Sequence, residues 1–253
     1  MIHFVGAGPG AVDLITVRGQ RYLKEADVII YAGSLVNKGL LEYAKEGCEV
    51  YNSAYMTLEE VIEVMIKSEK EDKMTVRLHT GDPCLYGAIR EQMDILDEKG
   101  IEYDSCPGVS SFCGAAAALN LEYTLPEVSQ SVIITRTEGR TPVPEKEKIM
   151  SFAAHGATMV LFLSTGLLEK LVKELLAGGY APDTPAAIVY KATWPEEEAY
   201  VCTIDTLVET ARKHQITKTA LILVGNVVTH SHYERSKLYD PGFTTEFRKG
   251  SDS

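Results

Sequence analysis

Short apolar runs alternate with longer stretches whose apolar residues recur at helical spacing. This alternation predicts strands buried in a sheet, with helices laid against it. Residues 1–5 form the first apolar run, which ends at Gly6-Ala7-Gly8-Pro9-Gly10, and residues 14–26 follow as an amphipathic helix with Thr16 near its start. Residues 27–31 (D-V-I-I-Y) predict a second buried strand, residues 58–67 a helix with Thr57 as N-cap, and residues 74–78 a third strand. The third strand runs into His79-Thr80-Gly81-Asp82-Pro83, after which residues 86–98 read as a helix stopped at Gly100. A further strand leads to a loop at Pro107-Gly108-Val109-Ser110-Ser111, and an alanine-rich helix is expected over 112–119.

The pattern turns irregular over 120–127 and then resumes. Strands are predicted over 131–135, 158–163, 186–190 and 219–224, and helices over 144–154, 167–176 (closed by Gly178-Gly179) and 206–214. The expected fold class is therefore α/β, with two α/β domains and mostly parallel sheets. The expected division is an N-terminal domain over 1–119, a linker over 120–130, a C-terminal domain over 131–235 and a polar, frayed tail over 236–253. No sequence repeat links the two halves.

Composition narrows the function. Hydrophobic residues make up 45% and charged residues 24%, as in a globular protein. The longest apolar stretches, 158–163 and 220–228, are far shorter than the ~20 residues a spanning helix needs. The first residues run straight into a strand, so no signal peptide is expected; with apolar stretches this short no membrane partner is expected, and the cytoplasm is the expected location. The five cysteines, Cys48, Cys84, Cys106, Cys113 and Cys202, form no C-x-x-C pair and read as reduced packing residues. His230 and His232 are the one close histidine pair, and they lack the Cys or carboxylate neighbours that would complete a metal site, so no metal is expected. A net charge of −11 disfavours a nucleic-acid partner and requires that any acidic ligand be met by a local group of Arg and Lys.

Gly6-Ala7-Gly8-Pro9-Gly10-Ala11 fits G-x-G-x-x-G/A after a strand, so a nicotinamide-dependent oxidoreductase has to be weighed. Pro9 removes one backbone N–H from the loop, the helix starts late, and Asp27 precedes the second strand instead of ending it. Thr80-Gly81-Asp82-Pro83 and Pro107-Gly108-Val109-Ser110-Ser111 also follow strands. Each loop alone is compatible with plain turn chemistry. Three of them at strand ends predict one mouth of exposed backbone open to a flat ligand.

In order and spacing, G-A-G-P-G, H-T-G-D-P-C-L-Y-G and C-P-G-V-S-S resemble the tetrapyrrole methylase family, and the resemblance spans residues 2–228. Four further segments resemble the branch that methylates C-11 of precorrin-4, or of its cobalt complex, in cobalamin synthesis. They are Ser34-Leu35-Val36, Gly87-Ala88-Ile89-Arg90-Glu91-Gln92-Met93, the run from Thr135 to Pro144, and Tyr190-Lys191-Ala192-Thr193-Trp194-Pro195. The resemblance implies a homodimer of two-domain chains, with S-adenosylmethionine in the inter-domain cleft and a tetrapyrrole as methyl acceptor. Carried over position by position, it implies cofactor contacts at Pro9, Thr80, Gly81, Asp82, Leu85, Ser110, Ser111, Leu163 and Ala192. Tyr86, Thr193, Ala220 and Leu221 are expected neighbours of the cofactor. Two positions depart from the family: Ala11 stands where Asp is common, so the following turn must be capped differently, and Cys106 replaces an apolar residue before Pro-Gly.

Methyl transfer from a sulfonium to an electron-rich carbon is an in-line displacement that needs no covalent enzyme nucleophile, and no Ser-His-Asp or Cys-His set is apparent, so no catalytic residue is assigned. The many carboxylates of a corrin precursor call for Arg and Lys, for which Arg136, Arg140 and Lys191 are the candidates. The alternative for the arginines is pairing with Glu138 or Glu145 at the surface. His79 and Tyr86 are either proton carriers or packed residues, and Trp194 either stacks on the macrocycle or fills core. A non-catalytic tetrapyrrole carrier is the remaining competing function.

Overall fold

The computed structural model describes residues 1–229 and 233–251, and the expected pair His230 and His232 lies outside them. The chain divides into two compact units, Met1–Gly114 with Ala192–Glu196, and Ala115–Lys191 with Glu197–Ser253.

The first unit is built on five parallel strands, β1 (Ile2–Gly6), β2 (Val28–Tyr31), β3 (Glu49–Asn52), β4 (Thr75–His79) and β5 (Tyr103–Cys106), in the order β3-β2-β4-β1-β5. β1, β2 and β4 are buried along their whole length, which explains their continuous apolar runs in place of an alternating pattern. Helix α1 (Val17–Glu25) covers one face through Leu23, over Val5, Ile29, Val76 and Leu78. Helices α2 (Leu58–Lys70) and α3 (Arg90–Glu98) cover the other, where Val61, Ile62, Met65, Met93 and Leu96 meet Ile2, Phe4, Val28 and Ile30. Thr57 caps α2 through a complete capping box with Glu60. Helix α4 (Ser111–Ala118) follows β5, with the Ser110 carbonyl accepting from Cys113 and Gly114.

The second unit has five strands, β6 (Val132–Arg136), β7 (Thr158–Phe162), β8 (Pro185–Tyr190), β9 (Glu198–Thr203) and β10 (Ala220–Val224), in the order β6-β7-β10-β8-β9. Helices α5 (Ile149–Ala153), α6 (Leu168–Ala177) and α7 (Leu207–Lys213) bury Leu168, Leu171, Leu175, Leu207 and Ala211 against Met159, Leu161, Ile188 and Ile222. The first sheet is parallel throughout, as expected, but the second is mixed. β6 and β7 run parallel, whereas β10 is antiparallel to both neighbours and β8 pairs antiparallel with β9. The reason is connection length: β9 follows β8 after seven residues, too few for the crossover a parallel pair needs.

Several element boundaries differ from expectation. The helix predicted from residue 14 begins at Val17, because Val12–Leu14 forms a separate 3-10 turn and the Thr16 hydroxyl caps α1 by accepting from Gly19 N. The helix predicted from residue 86 begins at Arg90, since Tyr86 and Ala88 take left-handed φ values of 57° and 48°. The helix predicted over 144–154 shortens to Ile149–Ala153. In the tail, Arg248 Nη2 donates to the carbonyls of Leu238 and Asp240, so residues 238–248 close into hydrogen-bonded turns in place of a frayed end.

Candidate functional site

Three loops distant in sequence meet at one end of the sheet because β4, β1 and β5 are adjacent parallel strands whose carboxyl ends all lie there. Ala7 N donates to His79 O (2.7 Å), and Gly8 and Gly81 exchange backbone hydrogen bonds at 3.2 and 2.8 Å. A Cβ on Gly6 would lie 2.5 Å from Gly108 Cα and 2.6 Å from Gly81 O, and one on Gly108 would run into Gly81 O. The backbones of the three loops are therefore in direct contact, a proximity that only glycine permits.

Asp82 ties this arrangement together. Its Oδ1 accepts from Cys84 N and its Oδ2 from Gly108 N, both at 2.8 Å, so one carboxylate shapes the second loop and holds the third. Burial works to raise its pKa, but the hydrogen bonds from Cys84 and Gly108 outweigh it and the carboxyl sits below its ordinary value.

Pro9, Thr80, Gly81, Asp82, Ser110 and Ser111 thus come together at this end of the sheet, with Ser110 buried and Ser111 opening α4. Leu85 and the exposed Tyr86 lie on the outgoing arm of the second loop. Ala192 and Thr193 belong to the same unit, and Thr193 Oγ1 accepts from Ala11 N at 3.0 Å. Ala11 gives the following 3-10 turn no side-chain cap, as its departure from Asp implies. Trp194 Nε1 donates to Pro9 O at 3.0 Å.

Beneath the second loop lies a polar column of which the sequence singled out His79 alone. Thr75, Arg77 and His79 alternate along one face of β4 and are all buried. Arg77 Nε donates to Gln92 Oε1 (3.1 Å) and Nη1 to Ile30 O (3.1 Å), while Gln92 Nε2 donates to Ala88 O (2.9 Å). Burial pushes Arg77 down to about 10, and burial with the Arg77 charge pushes His79 down to about 3, so His79 is neutral at physiological pH. His79 is only 4% exposed and its Nε2 has no hydrogen-bond partner. The available signal was Arg77 itself, a charge inside the strand T-V-R-L-H.

In the second unit the remaining candidates line one end of the sheet. Arg136 ends β6 in register with Phe162, Leu163 follows β7, Lys191 follows β8, and Ala220 and Leu221 open β10 with Ala220 opposite Tyr190. Leu163 is 66% exposed on a left-handed backbone (φ 52°), an apolar side chain held open at a strand end. Thr165 Oγ1 donates to Ala220 O at 3.0 Å, and Ser164 Oγ accepts from Thr137 N at 2.8 Å, two supports that the sequence did not mark. Neither carboxylate of the alternative reading pairs with Arg136. Its guanidinium donates to Thr141 O (3.2 Å) and Pro142 O (2.8 Å), while Glu138 meets Lys170 and Glu145 meets Lys148. Arg140 is exposed, and Lys191 Nζ lies 5.6 Å from the centre of the Tyr190 ring.

The chemistry of the loops discriminates between ligands. The N–H groups of Ala7, Gly8 and Ala11 are all donated to protein acceptors and Pro9 has none, so the first loop offers a pyrophosphate little of the cradle a dinucleotide site provides. None of the three loops carries Lys or Arg, and one carries Asp82. The set suits a flat ligand bearing positive or zwitterionic charge. Among the described residues, no helix is long and apolar enough to cross a membrane.

Residues 1–208 match the model of the tetrapyrrole (corrin/porphyrin) methylases. The chain is 55% identical over 248 residues to a cobalt-precorrin-4 C(11)-methyltransferase of Methanocaldococcus jannaschii, covering 98% of this chain and 96% of that protein. It is 48% identical to a cobalt-precorrin-4 C(11)-methyltransferase of Priestia megaterium, covering 100% and 99%. A precorrin-4 C(11)-methyltransferase of Pseudomonas aeruginosa is 42% identical, with 98% and 99% covered. Among solved structures, an X-ray structure of a cobalt precorrin-4 methyltransferase superposes with a TM-score of 0.88 at 48% identity, covering 90% of this chain and 95% of that one. A uroporphyrin-III C-methyltransferase of Thermus thermophilus, complexed with S-adenosylhomocysteine, superposes with a TM-score of 0.76 at 28% identity, covering 90% and 99%.

Proposed function

Because this chain belongs to the tetrapyrrole methylases, we infer that it is a C-methyltransferase that methylates C-11 of precorrin-4 in cobalamin biosynthesis. The observation that carries this reading is the 55% identity to a protein of that activity over 98% of the chain. The relatives at 55% and 48% are named for cobalt-precorrin-4 and one at 42% for precorrin-4, which favours cobalt-precorrin-4 as substrate.

The methyl donor in this reading is S-adenosylmethionine, which supplies an electrophilic methyl on a sulfonium. Two observations support it: the loops lack cations and a phosphate cradle, and a relative of the same fold is crystallised with S-adenosylhomocysteine. Pro9, Thr80, Gly81, Ser110, Ser111, Ala192 and Thr193 would hold the donor, with Leu85 and Tyr86 as neighbours. Asp82 acts through the loops it joins. Alignment of the two reactants supplies most of the acceleration, a contribution that reaches ~7–11 kcal/mol in well-oriented reactions. His79, buried and neutral, is a poor proton carrier and serves packing. Arg140, Lys191 and the unspent donors of Arg136 meet the carboxylates of the ring. The chain works as a cytoplasmic homodimer.

Calorimetry tests the donor. S-adenosylhomocysteine should bind with one site per chain and NAD should not bind. Binding of NAD alone would replace this reading with the oxidoreductase one. Light scattering of the purified chain at twice the mass of 27.8 kDa is the expected result for the dimer, and a single-chain mass would remove it.

A further inference from the structure

Trp194 is the chain's single tryptophan. It lies half-buried in Ala192–Glu196, the part of the β8–β9 connection that belongs to the first unit, and its surroundings decide between the two roles open from the sequence. The backbone of the first glycine loop is gripped at successive residues from outside: Ala7 and Gly8 by the second loop, the Pro9 carbonyl by Trp194 Nε1 (3.0 Å), the Gly10 carbonyl by Asn37 Nδ2 (2.8 Å) and the Ala11 amide by Thr193 Oγ1 (3.0 Å). Pro9 has no N–H of its own, so its carbonyl is the polar backbone group through which its position can be fixed.

The indole also closes on the loop sterically. A Cβ on Gly10 would run into Trp194 Cδ1 and Nε1 and lie 2.8 Å from Cγ, so Gly10 is the residue that lets the ring approach the chain this closely. Thr193 packs on the other side, where a Cβ on Gly114 of α4 would sit 3.1 Å from Thr193 Cγ2 and 3.2 Å from Pro9 Cβ. Thr193 itself takes a left-handed φ of 69°, a conformation that costs a threonine energy and persists where neighbouring contacts enforce it.

We propose that Trp194 is a positioning residue of the methyl-donor site: its indole locks Pro9 and Gly10 against the segment carrying Ala192 and Thr193, so that donor contacts 183 residues apart in sequence share one geometry. This rests on the methyl-donor reading given above. It assigns Trp194 to the first glycine loop instead of to the macrocycle, and it makes the sole indole an optical reporter of donor binding.

The test is titration of the full-length chain with S-adenosylhomocysteine, followed by calorimetry and by tryptophan emission, together with steady-state kinetics. Trp194→Phe should raise the dissociation constant and the KM for S-adenosylmethionine about 5- to 10-fold, the loss of one hydrogen bond and a stranded carbonyl, with kcat at saturating donor and KM for the ring changed less than about 2-fold. Gly10→Ala should weaken donor binding similarly in the natural chain and by less than about 2-fold in a Trp194→Ala background, because the clash it creates is with the indole. Emission of the natural chain should shift on titration. Unchanged donor affinity in Trp194→Phe, or a rise confined to the KM of the ring, would overturn the proposal. Should that variant not fold, equal donor binding by Gly10→Ala and the natural chain, or constant emission on titration, overturns it as well. Failure of the natural chain itself to bind S-adenosylhomocysteine would remove the donor reading along with the proposal, an outcome distinct from normal binding with a silent Trp194.

Discussion

Replacing Asp82 with Ala removes two carboxylate hydrogen bonds, to Cys84 N and Gly108 N at 2.8 Å each, and leaves both donors to water. Bonds to a charged acceptor contribute roughly 1.5–3 kcal/mol apiece. Because Asp82 is half-exposed, solvent replaces part of that, and a net loss of about 2–3 kcal/mol is expected. At about 2–4 °C per kcal/mol for a chain of this size, Tm should fall by roughly 5–10 °C. Asp82→Asn keeps one acceptor oxygen and should lose about half as much. The pH dependence has a definite sign. The folded-state carboxyl lies below its ordinary 3.8, so its stabilisation is present above that value and is lost as pH falls through the lower folded value, a loss absent from Asp82→Ala. With the second and third loops parted, S-adenosylhomocysteine affinity should drop roughly 10- to 100-fold, a ΔΔG of about 1.4–2.8 kcal/mol. Thermal melts and calorimetry on the same samples test the reasoning. An Asp82→Ala chain that melts like the natural one yet loses donor binding would refute it and make Asp82 a direct donor contact.

Gly108→Ala should be more damaging than its single methyl suggests, costing about 3 kcal/mol or abolishing folding, because the new Cβ meets the Gly81 carbonyl and the Gly6 Cα, backbone atoms that cannot step aside; a denaturant midpoint measures this. His79 titrates near 3 when folded and near 6.5 when unfolded, so stability should fall by up to about 1.4 kcal/mol per pH unit as pH drops from 6.5 towards 3, and His79→Gln should flatten that slope in urea unfolding. Arg140→Ala should raise KM for the ring substrate about 5- to 10-fold with Tm and S-adenosylhomocysteine affinity unchanged, whereas Arg136→Ala should also lower Tm, since its guanidinium holds the Thr141 and Pro142 carbonyls.

What the sequence revealed was mainly local. The capping box of Thr57 and Glu60 and the buried runs of β1, β2 and β4 are written in consecutive residues, and so are the three glycine-bearing loops. That those loops touch depends on the strand order β4-β1-β5, which no local pattern encodes. β3 and β9 went unread because both are sheet-edge strands whose residues are exposed or half-buried, so neither shows the continuous buried run of the central strands. The alternative reading of Arg136 set it against Glu138 or Glu145 because charge pairs are visible in a sequence and backbone acceptors are not. The bond from Trp194 to Pro9 spans 185 residues and is invisible to any window.

The most direct measurement of the central claim is the product formed from cobalt-precorrin-4 and S-adenosylmethionine carrying a 13C-labelled methyl. Mass and NMR analysis should find one added methyl, with the label on the substituent at C-11. Label at another ring carbon, or none transferred while the donor binds normally, would contradict the account.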